Sequence, residues 1–119
     1  MKLDDEAVQA LLPLPPATFH ILVALSTGDR HGYGIIQDVE ARTEGALRLS
    51  AGTLYRTMQR LLERGLIREL PGARVQDEDP RRRYYRITPF GTLVARADAE
   101  RLAGLVVLAQ DAGLLEGAQ

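Results

Sequence analysis

The sequence predicts a mainly α-helical chain with one small β-hairpin, an α+β fold class. Its 119 residues, of which 45% are hydrophobic, suffice for one compact domain but hardly for two. Four segments have the length and the apolar pattern of helices. Between the third and the fourth of them, two short segments have the alternation of paired strands.

Composition excludes several kinds of functional site. The chain has no cysteine, which excludes disulfides, thiolate metal ligands and cysteine nucleophiles. Because only two histidines are present, His20 and His31, a closed histidine-based metal site is not expected. No catalytic constellation and no glycine-rich loop of Walker or Rossmann spacing occurs. The sequence therefore predicts a protein that is not an enzyme and that uses no cofactor or metal.

The start of the chain predicts neither export nor insertion into a membrane. Residues 1–6 are largely acidic, and no apolar signal segment follows a basic start. No stretch reaches the roughly 18 uninterrupted apolar residues of a membrane span. We therefore expect a soluble, cytoplasmic protein without a membrane partner.

A proline-rich segment leads into the first predicted helix. Residues 11–16 should be extended, and Pro15 and Pro16 can start a helix because the amide they lack would be unpaired there. Apolar side chains cover most of the circumference of residues 17–25, which predicts a central, largely buried helix. Phe19 and His20 near its front are interpreted as core residues rather than as the lining of a pocket at a dimer interface.

The second predicted helix covers residues 31–43 and has one apolar face, formed by Ile35, Ile36 and Val39. Gly32 and Gly34 at its start lower the helix propensity. Such a pair makes sense if the backbone there passes close to another group. His31 is expected to cap this helix or to form a local hydrogen bond.

Ser50 is the predicted N-cap of the third helix, which Gly65 ends. Four apolar residues at helical spacing should face the core: Leu54, Met58, Leu61 and Leu62. The residues on the other side are polar and should face solvent: Thr53, Arg56, Thr57, Gln59, Arg60, Glu63 and Arg64. The pattern therefore predicts an amphipathic helix with a charged outer face.

The predicted hairpin pairs residues 66–70 with residues 81–88. Alternation along the second strand places Tyr85 and Ile87 on the packed side. Thr88 is the predicted N-cap of the last helix, which begins at Pro89 and should run to about residue 111.

The second half of the last helix is apolar on nearly all sides, and such a helix must be buried. The sequence therefore predicts that it pairs two subunits, through Leu102, Leu105, Val106, Leu108 and Ala109. The alternative is a helix that folds back on its own domain. The sequence therefore predicts two parts, residues 13–88 as the compact domain and residues 89–119 as the dimerisation helix.

The order of these elements is that of the winged helix-turn-helix fold, extended by a C-terminal dimerisation helix. In that fold the third helix enters the major groove of double-stranded DNA, and the hairpin tip lies along the backbone or in the minor groove. Residues 42–86 contain eleven arginines and six acidic residues, a net charge of +5, whereas the rest of the chain carries −6. This asymmetry suits a polyanion-binding face. A surface tuned for solubility is the alternative explanation.

The predicted DNA contacts lie on the third helix and the hairpin. Small residues at a helix start let free amides approach a phosphate, while hydroxyls and guanidinium groups bind phosphates or base edges. The contacts predicted on the helix are Ser50, Gly52, Thr53, Tyr55, Arg56 and Arg60. Those predicted at the base of the hairpin are Arg81, Arg82 and Arg83.

These assignments have alternatives. Tyr55 could instead pack under the hairpin, and the three arginines could form a solvated strand end. The acidic tip of the hairpin, Asp77–Asp79, repels phosphate, so it either stays out of the groove or pairs with the arginines in the free protein.

Four motifs resemble the PadR family of bacterial transcription regulators. They are His31-Gly32-Tyr33-Gly34-Ile35, Ser50-Ala51-Gly52-Thr53-Leu54-Tyr55, Leu62-Glu63-Arg64-Gly65-Leu66-Ile67 and Arg83-Tyr84-Tyr85-Arg86-Ile87-Thr88-Pro89-Phe90-Gly91. The four together, in this order and spacing, are specific, and the resemblance covers residues 13–91. It implies a homodimeric repressor that binds a palindromic operator, that a small-molecule effector often releases, and whose last helix pairs the subunits. It also implies that Tyr33 contacts a DNA phosphate, the alternative being a half-buried ring that stacks on the first helix.

Two features depart from the family pattern or narrow it. Arg56 follows Tyr55 where the family commonly has proline, which predicts an unusual recognition surface. The chain resembles the short branch of the family, so an effector is expected between subunits or against the winged domain. The competing hypothesis is a winged-helix protein-interaction module without specific DNA binding. Such a module should have an acidic or apolar outer face on the third helix, whereas here that face is basic.

Overall fold

The computed structural model describes residues 2–71 and 82–117, with side chains from residue 5 onward. The helices of these residues are α1 (Lys2–Gln9), α2 (Pro16–Ser26), α3 (Gly32–Arg42), α4 (Ala51–Glu63) and α5 (Pro89–Asp111). The strands are β1 (Arg30–His31), β2 (Ile67–Glu69) and β3 (Tyr84–Ile87). The mainly helical winged helix-turn-helix fold is confirmed, with its long C-terminal helix.

The sheet of the described residues has three strands, one more than the predicted hairpin. β3 is central and pairs antiparallel with β1 on one side and β2 on the other. Arg30 lies opposite Tyr85, and Ile67 lies opposite Ile87. Sequence patterns do not predict β1, because two residues are too few to show alternation. β2 and β3 form the wing, and β1 joins it directly to the start of α3.

α2 forms the centre of the core, as its pattern predicts. Ile21, Leu22 and Ala24 are completely buried. The rest of the core comes from α2 itself, the other helices, the sheet and the connecting segments: Val8, Leu14, Leu25, Ile35, Val39, Leu49, Leu54, Met58, Leu61, Leu66, Ile67, Tyr85 and Val94. Phe19 packs against this core, and its ring meets that of His20 edge to face at 6.1 Å between centroids. The apolar face predicted for α4 is confirmed.

The predicted helix boundaries at α4 and α5 have the expected local chemistry. Ser50 Oγ accepts a hydrogen bond from the Thr53 amide at 3.1 Å, and Thr88 Oγ1 accepts one from the Gly91 amide at 3.0 Å. Gly65 follows α4 with φ +74°, the left-handed conformation that glycine adopts readily at a helix end. Both N-caps and this helix stop are confirmed.

One face of the first half of α5 is buried. Val94 is completely buried, and a Cβ added to Gly91 would overlap the carbonyl oxygen of Leu66. Asp98 is 1% exposed, and its Oδ1 accepts hydrogen bonds from the Leu14 amide at 3.4 Å and from Arg101 Nε at 2.8 Å. These contacts hold the first half of α5 against both the wing and the segment that leads into α2.

The second half of α5 is exposed although it is apolar. Its large side chains have exposed fractions of 46–63%: Leu105, Val106, Val107 and Leu108. Ala109, by contrast, is only partly exposed, as is Leu102. Despite this apolar stretch, no helix among the described residues is long and apolar enough to cross a membrane.

Candidate nucleic-acid interface

The N-terminus of α4 presents hydroxyls and backbone to solvent. Ser50 Oγ, besides capping the helix, donates a hydrogen bond to Thr53 Oγ1 at 3.0 Å. The Ser50 proton is therefore occupied, whereas Thr53 keeps its own proton to donate outward. Gly52 is exposed, so its backbone can approach a ligand closely.

Among the described residues, the arginines on the outer face of α4 form no ion pair, whereas six other arginines do. Arg56 and Arg60 are exposed, and neither forms an ion pair within the described residues. Elsewhere, paired arginines are common: Arg30, Arg42, Arg48, Arg83, Arg86 and Arg101. The free guanidinium groups of α4 can bind a phosphate or a guanine edge without first breaking an ion pair.

A cleft of about 370 Å³ lies between the start of α3, α4 and β3. We call it the tyrosine cleft; its lining is His31, Gly32, Tyr33, Tyr55, Arg82, Arg83 and Tyr85. The cleft brings together four predicted DNA contacts that are far apart in sequence. Tyr33 is 59% exposed and Tyr55 is 54% exposed, so both phenol hydroxyls can reach a ligand.

The position of Tyr55 explains why residue 32, one of the two glycines at the start of α3, has no side chain. A Cβ added to Gly32 would lie 2.6 Å from Tyr55 Oη and 3.1 Å from Tyr55 Cζ. The ring of Tyr55 therefore rests directly on the backbone of α3. The sequence signal, a glycine that costs helix propensity, is accounted for by this close approach. At Gly34 the added atom would meet only ordinary contacts, the nearest to His31 at 3.4 Å.

His31 lines the tyrosine cleft, but its Nδ1 is already bonded within the protein. Its Nδ1 accepts a hydrogen bond from the Gly34 amide at 3.0 Å, which confirms the predicted cap of α3. Its ring meets Tyr84 edge to face at 5.3 Å between centroids, and Arg82 Nη1 lies 3.4 Å from Nε2. A neutral imidazole has one acceptor nitrogen, here used by Gly34. Arg82 therefore keeps its donors for another acceptor.

Two ion pairs join arginines of β3 and of the segment before it to neighbouring acidic residues. Arg86 binds Asp29 through two hydrogen bonds, at 2.9 and 2.7 Å, and the bond to this carboxylate raises the pKa of Arg86 above its ordinary value. Arg83 Nη1 lies 3.3 Å from Glu69 Oε1 in an exposed pair. Exposed pairs of this kind contribute little stability, so a phosphate can displace Glu69.

Tyr85 forms the floor of the tyrosine cleft. It is 7% exposed, which confirms its place on the packed side of β3. Burial raises the pKa of its hydroxyl, and the charge of Glu69 raises it further. Tyr85 is therefore a packing residue, whereas Tyr33 and Tyr55 are exposed.

The remaining predicted contacts lie elsewhere. Arg60 borders a different cleft, with Arg64 and the start of α2, so it is not part of the tyrosine cleft. Arg81 and the acidic tip Asp77–Asp79 lie outside the described residues. Sequence reasoning did not single out Gly32 as the support of Tyr55; its helix-disfavouring position was the available signal.

Comparisons with known proteins agree with this architecture. Residues 21–97 match the family described as "Transcriptional regulator PadR-like family". An uncharacterised protein from Lysinibacillus sphaericus is 35% identical over 71 residues, which cover 60% of this chain and 63% of that protein. The chain thus spans less than two thirds of the length of this relative.

Solved structures share the fold. A transcriptional regulator from Clostridium thermocellum is similar with a TM-score of 0.67 and 30% identity, over 79% of this chain and 86% of that chain. Bacillus subtilis PadR in complex with operator DNA is similar with a TM-score of 0.60 and 19% identity, over 71% of this chain and 47% of that chain. The family consists of transcriptional regulators rather than enzymes. Because the match extends over more than half of its length, the chain belongs to the PadR-like family of transcriptional regulators.

Proposed function

We propose that this protein is a homodimeric repressor that binds a palindromic operator in double-stranded DNA. In each half-site α4 enters the major groove, and the wing lies against the neighbouring backbone. The observation that carries this proposal is the outer face of α4, where exposed arginines form no ion pair within the described residues. Membership in a family of transcriptional regulators supports it, as does the operator DNA bound to the related Bacillus subtilis PadR.

The two parts of the interface have different roles in the proposed complex. Thr53 and Arg56, near the N-terminus of α4, face the base edges and contribute sequence specificity. The tyrosine cleft receives a backbone phosphate, to which Tyr33, Tyr55 and the two arginines before β3, Arg82 and Arg83, donate hydrogen bonds. We also propose Arg81, which precedes Arg82 in the sequence, as a phosphate contact.

The second half of α5 supplies the dimer contact in this proposal. Leu105, Val106 and Leu108 are about half exposed in the single chain, and packing against a second copy removes them from water. Leu102 and Ala109 border the same stretch. The dimer brings two copies of α4 to half-sites about one turn of DNA apart, on the order of 10 bp between centres.

An effector site fits between α2 and α5. A cavity of about 270 Å³ lies there, lined by residues of the two helices and of the segment before α2. Phe19 and His20, interpreted from the sequence as core residues, border this cavity together with Leu102. Because Leu102 belongs to the proposed dimer contact, a small molecule in this cavity would change how the subunits pack. Release of the operator by an effector follows from that change.

The test is binding of the purified protein to a labelled fragment of its own upstream region, with random DNA as competitor and salt as the variable. Binding that survives the competitor and falls steeply with salt supports the proposal, since each neutralised phosphate adds about −0.9 to the log–log slope. A footprint should then protect two half-sites. Protection of one half-site by a monomer contradicts the dimer, and weak binding without sequence preference favours the protein-interaction module.

A further inference from the structure

The C-terminal half of α4 borders a second cleft, of about 220 Å³. We call it the arginine cleft; its lining is Leu11, Leu14, Pro15, Thr18, Arg60, Leu61, Arg64 and Leu66. None of these residues lines the tyrosine cleft. Two guanidinium groups of α4 here face the first turn of α2.

Both arginines of this cleft are free to bind an anion. Arg60 and Arg64 are exposed, and neither forms an ion pair or side-chain hydrogen bond within the described residues. Two acidic residues of α4 and α5 are engaged with other partners: Glu63 accepts a hydrogen bond from Gln59, and buried Asp98 pairs with Arg101. Like charges one helical turn apart repel each other, and an anion between them removes that repulsion.

The start of α2 adds donors to the same place. Pro15 occupies the N-cap position without a capping side chain, and Pro16 lacks an amide hydrogen. The amides of Ala17 and Thr18 are therefore the free donors of the first turn, and neither finds an acceptor among the described residues. The helix dipole adds roughly half a positive charge at this end.

Thr18 is an independent sign of a ligand. It is only 9% exposed, and its hydroxyl forms no hydrogen bond within the described residues. No buried side-chain oxygen or nitrogen of those residues lacks a partner, so the hydroxyl must reach solvent. Thr18 borders the arginine cleft. A nearly buried threonine that lines a cationic cleft and whose hydroxyl is not used within the described residues is suited to donate to a bound anion.

We propose that the arginine cleft binds a phosphate group. The guanidinium groups of Arg60 and Arg64 neutralise it, while the Thr18 hydroxyl and the amides of Ala17 and Thr18 donate to its oxygens. The phosphate comes either from the DNA backbone beside the major groove or from a free phosphate-bearing molecule. The first source rests on the proposed function, and it makes Arg60 a phosphate contact rather than a base contact.

The first experiment titrates the full-length protein with inorganic phosphate at constant ionic strength, observed by NMR of the backbone amides. We expect saturable shifts at Ala17 and Thr18. These shifts should vanish in Arg64→Gln and weaken in Thr18→Val. They should persist in the matched control Arg96→Gln, which removes an exposed arginine of α5 without an ion pair in the described residues.

The second experiment measures the salt dependence of operator binding for the same variants. If the DNA backbone is the source, Arg64→Gln lowers the log–log slope by about 0.9, while Arg96→Gln leaves it unchanged. Phosphate-dependent shifts with an unchanged slope assign the cleft to a free phosphate-bearing molecule. The absence of saturable shifts at Ala17 and Thr18 overturns the proposal, whatever the slope. If no variant binds DNA specifically, the proposed function fails, and the phosphate titration still decides the cleft.

Discussion

The outer face of α4 and the second half of α5 are both exposed, but they have opposite chemistry. α4 presents arginines and hydroxyls, whereas α5 presents leucines and valines with exposed fractions of 46–63%. A basic face is well hydrated in the free protein and can bind a polyanion. An apolar face costs about 25 cal/mol for each Å² left in water. An exposed surface of either kind is a candidate contact with a partner, and the residue types of that surface indicate the class of the partner.

This difference predicts that substitutions on α5 should weaken the dimer while substitutions on α4 should weaken DNA binding, each without affecting the other property. The largest effect is expected for Leu105→Glu combined with Leu108→Glu. Each leucine contributes about 1.5–3 kcal/mol on burial and occurs in both subunits, so the dimer should weaken by about 1,000-fold or more. Light scattering should report a monomer, and circular dichroism should report an unchanged helix content. Leu93→Glu, at a position 44% exposed on the first half of α5, is the control that should stay dimeric. A double variant that remains a dimer refutes this role of α5.

On α4 the expected effect is smaller and appears only with DNA. Arg56→Gln should lower operator affinity by about 1–3 kcal/mol and relax specificity at one base position, if Arg56 reads a base. Binding to a set of single-base operator variants measures both quantities. An equal loss on every sequence would instead identify a phosphate contact. The dimer should be unaffected, and Arg96→Gln should bind DNA like the unaltered protein.

Gly32→Ala tests whether the position of Tyr55 matters. The added methyl lies 2.6 Å from Tyr55 Oη, so the ring must move away from its place in the tyrosine cleft. We expect about a tenfold loss of DNA affinity, because hydrogen bonds to a charged group are worth about 1.5–3 kcal/mol. Tyr55→Phe supplies the second arm of a double-mutant cycle. The two losses should not add, and additive losses would show that Gly32 acts independently of Tyr55.

The smallest effect separates the cap of α4 from its DNA contact. Ser50→Ala removes the hydrogen bond to the Thr53 amide and should cost about 1 kcal/mol of stability in thermal unfolding. Ser50→Asp restores the cap and, by adding a negative charge, should weaken DNA binding while recovering stability. Equal stability of the alanine and aspartate variants would contradict a capping role.

Elements with their own local signals could be predicted from the sequence. The caps at Ser50 and Thr88, the stop at Gly65 and the apolar faces of α2 and α4 depend on residues within a few positions of one another. α1 and β1 lacked such signals. β1 exists because β3 pairs with it, more than 50 residues later in the chain. From the side chains of α1 that the structure describes, Val8 belongs to the buried core.

The candidate site divides in the same way. Residue types and motifs indicated Tyr33, Tyr55 and Arg82 separately, and the structure places them around one cleft. Sequence reasoning grouped Arg60 with them, whereas it borders the start of α2. The burial of Asp98 could not be foreseen, since its partner is the Leu14 amide, 84 positions away. Contacts across such distances depend on the packing of whole helices.

The continuity of α5 has a mechanical consequence. Its 23 residues span about 34 Å, from Gly91 packed on the carbonyl of Leu66 beside the wing to the apolar stretch at the far end. No loop lies between the two to absorb motion. The helix is therefore stiff, and in the proposed dimer a tilt of about 10° at Leu105 moves Gly91, about 21 Å away along the helix, by about 4 Å. A small change between the proposed subunits is thus amplified into a change in the spacing of the two copies of α4.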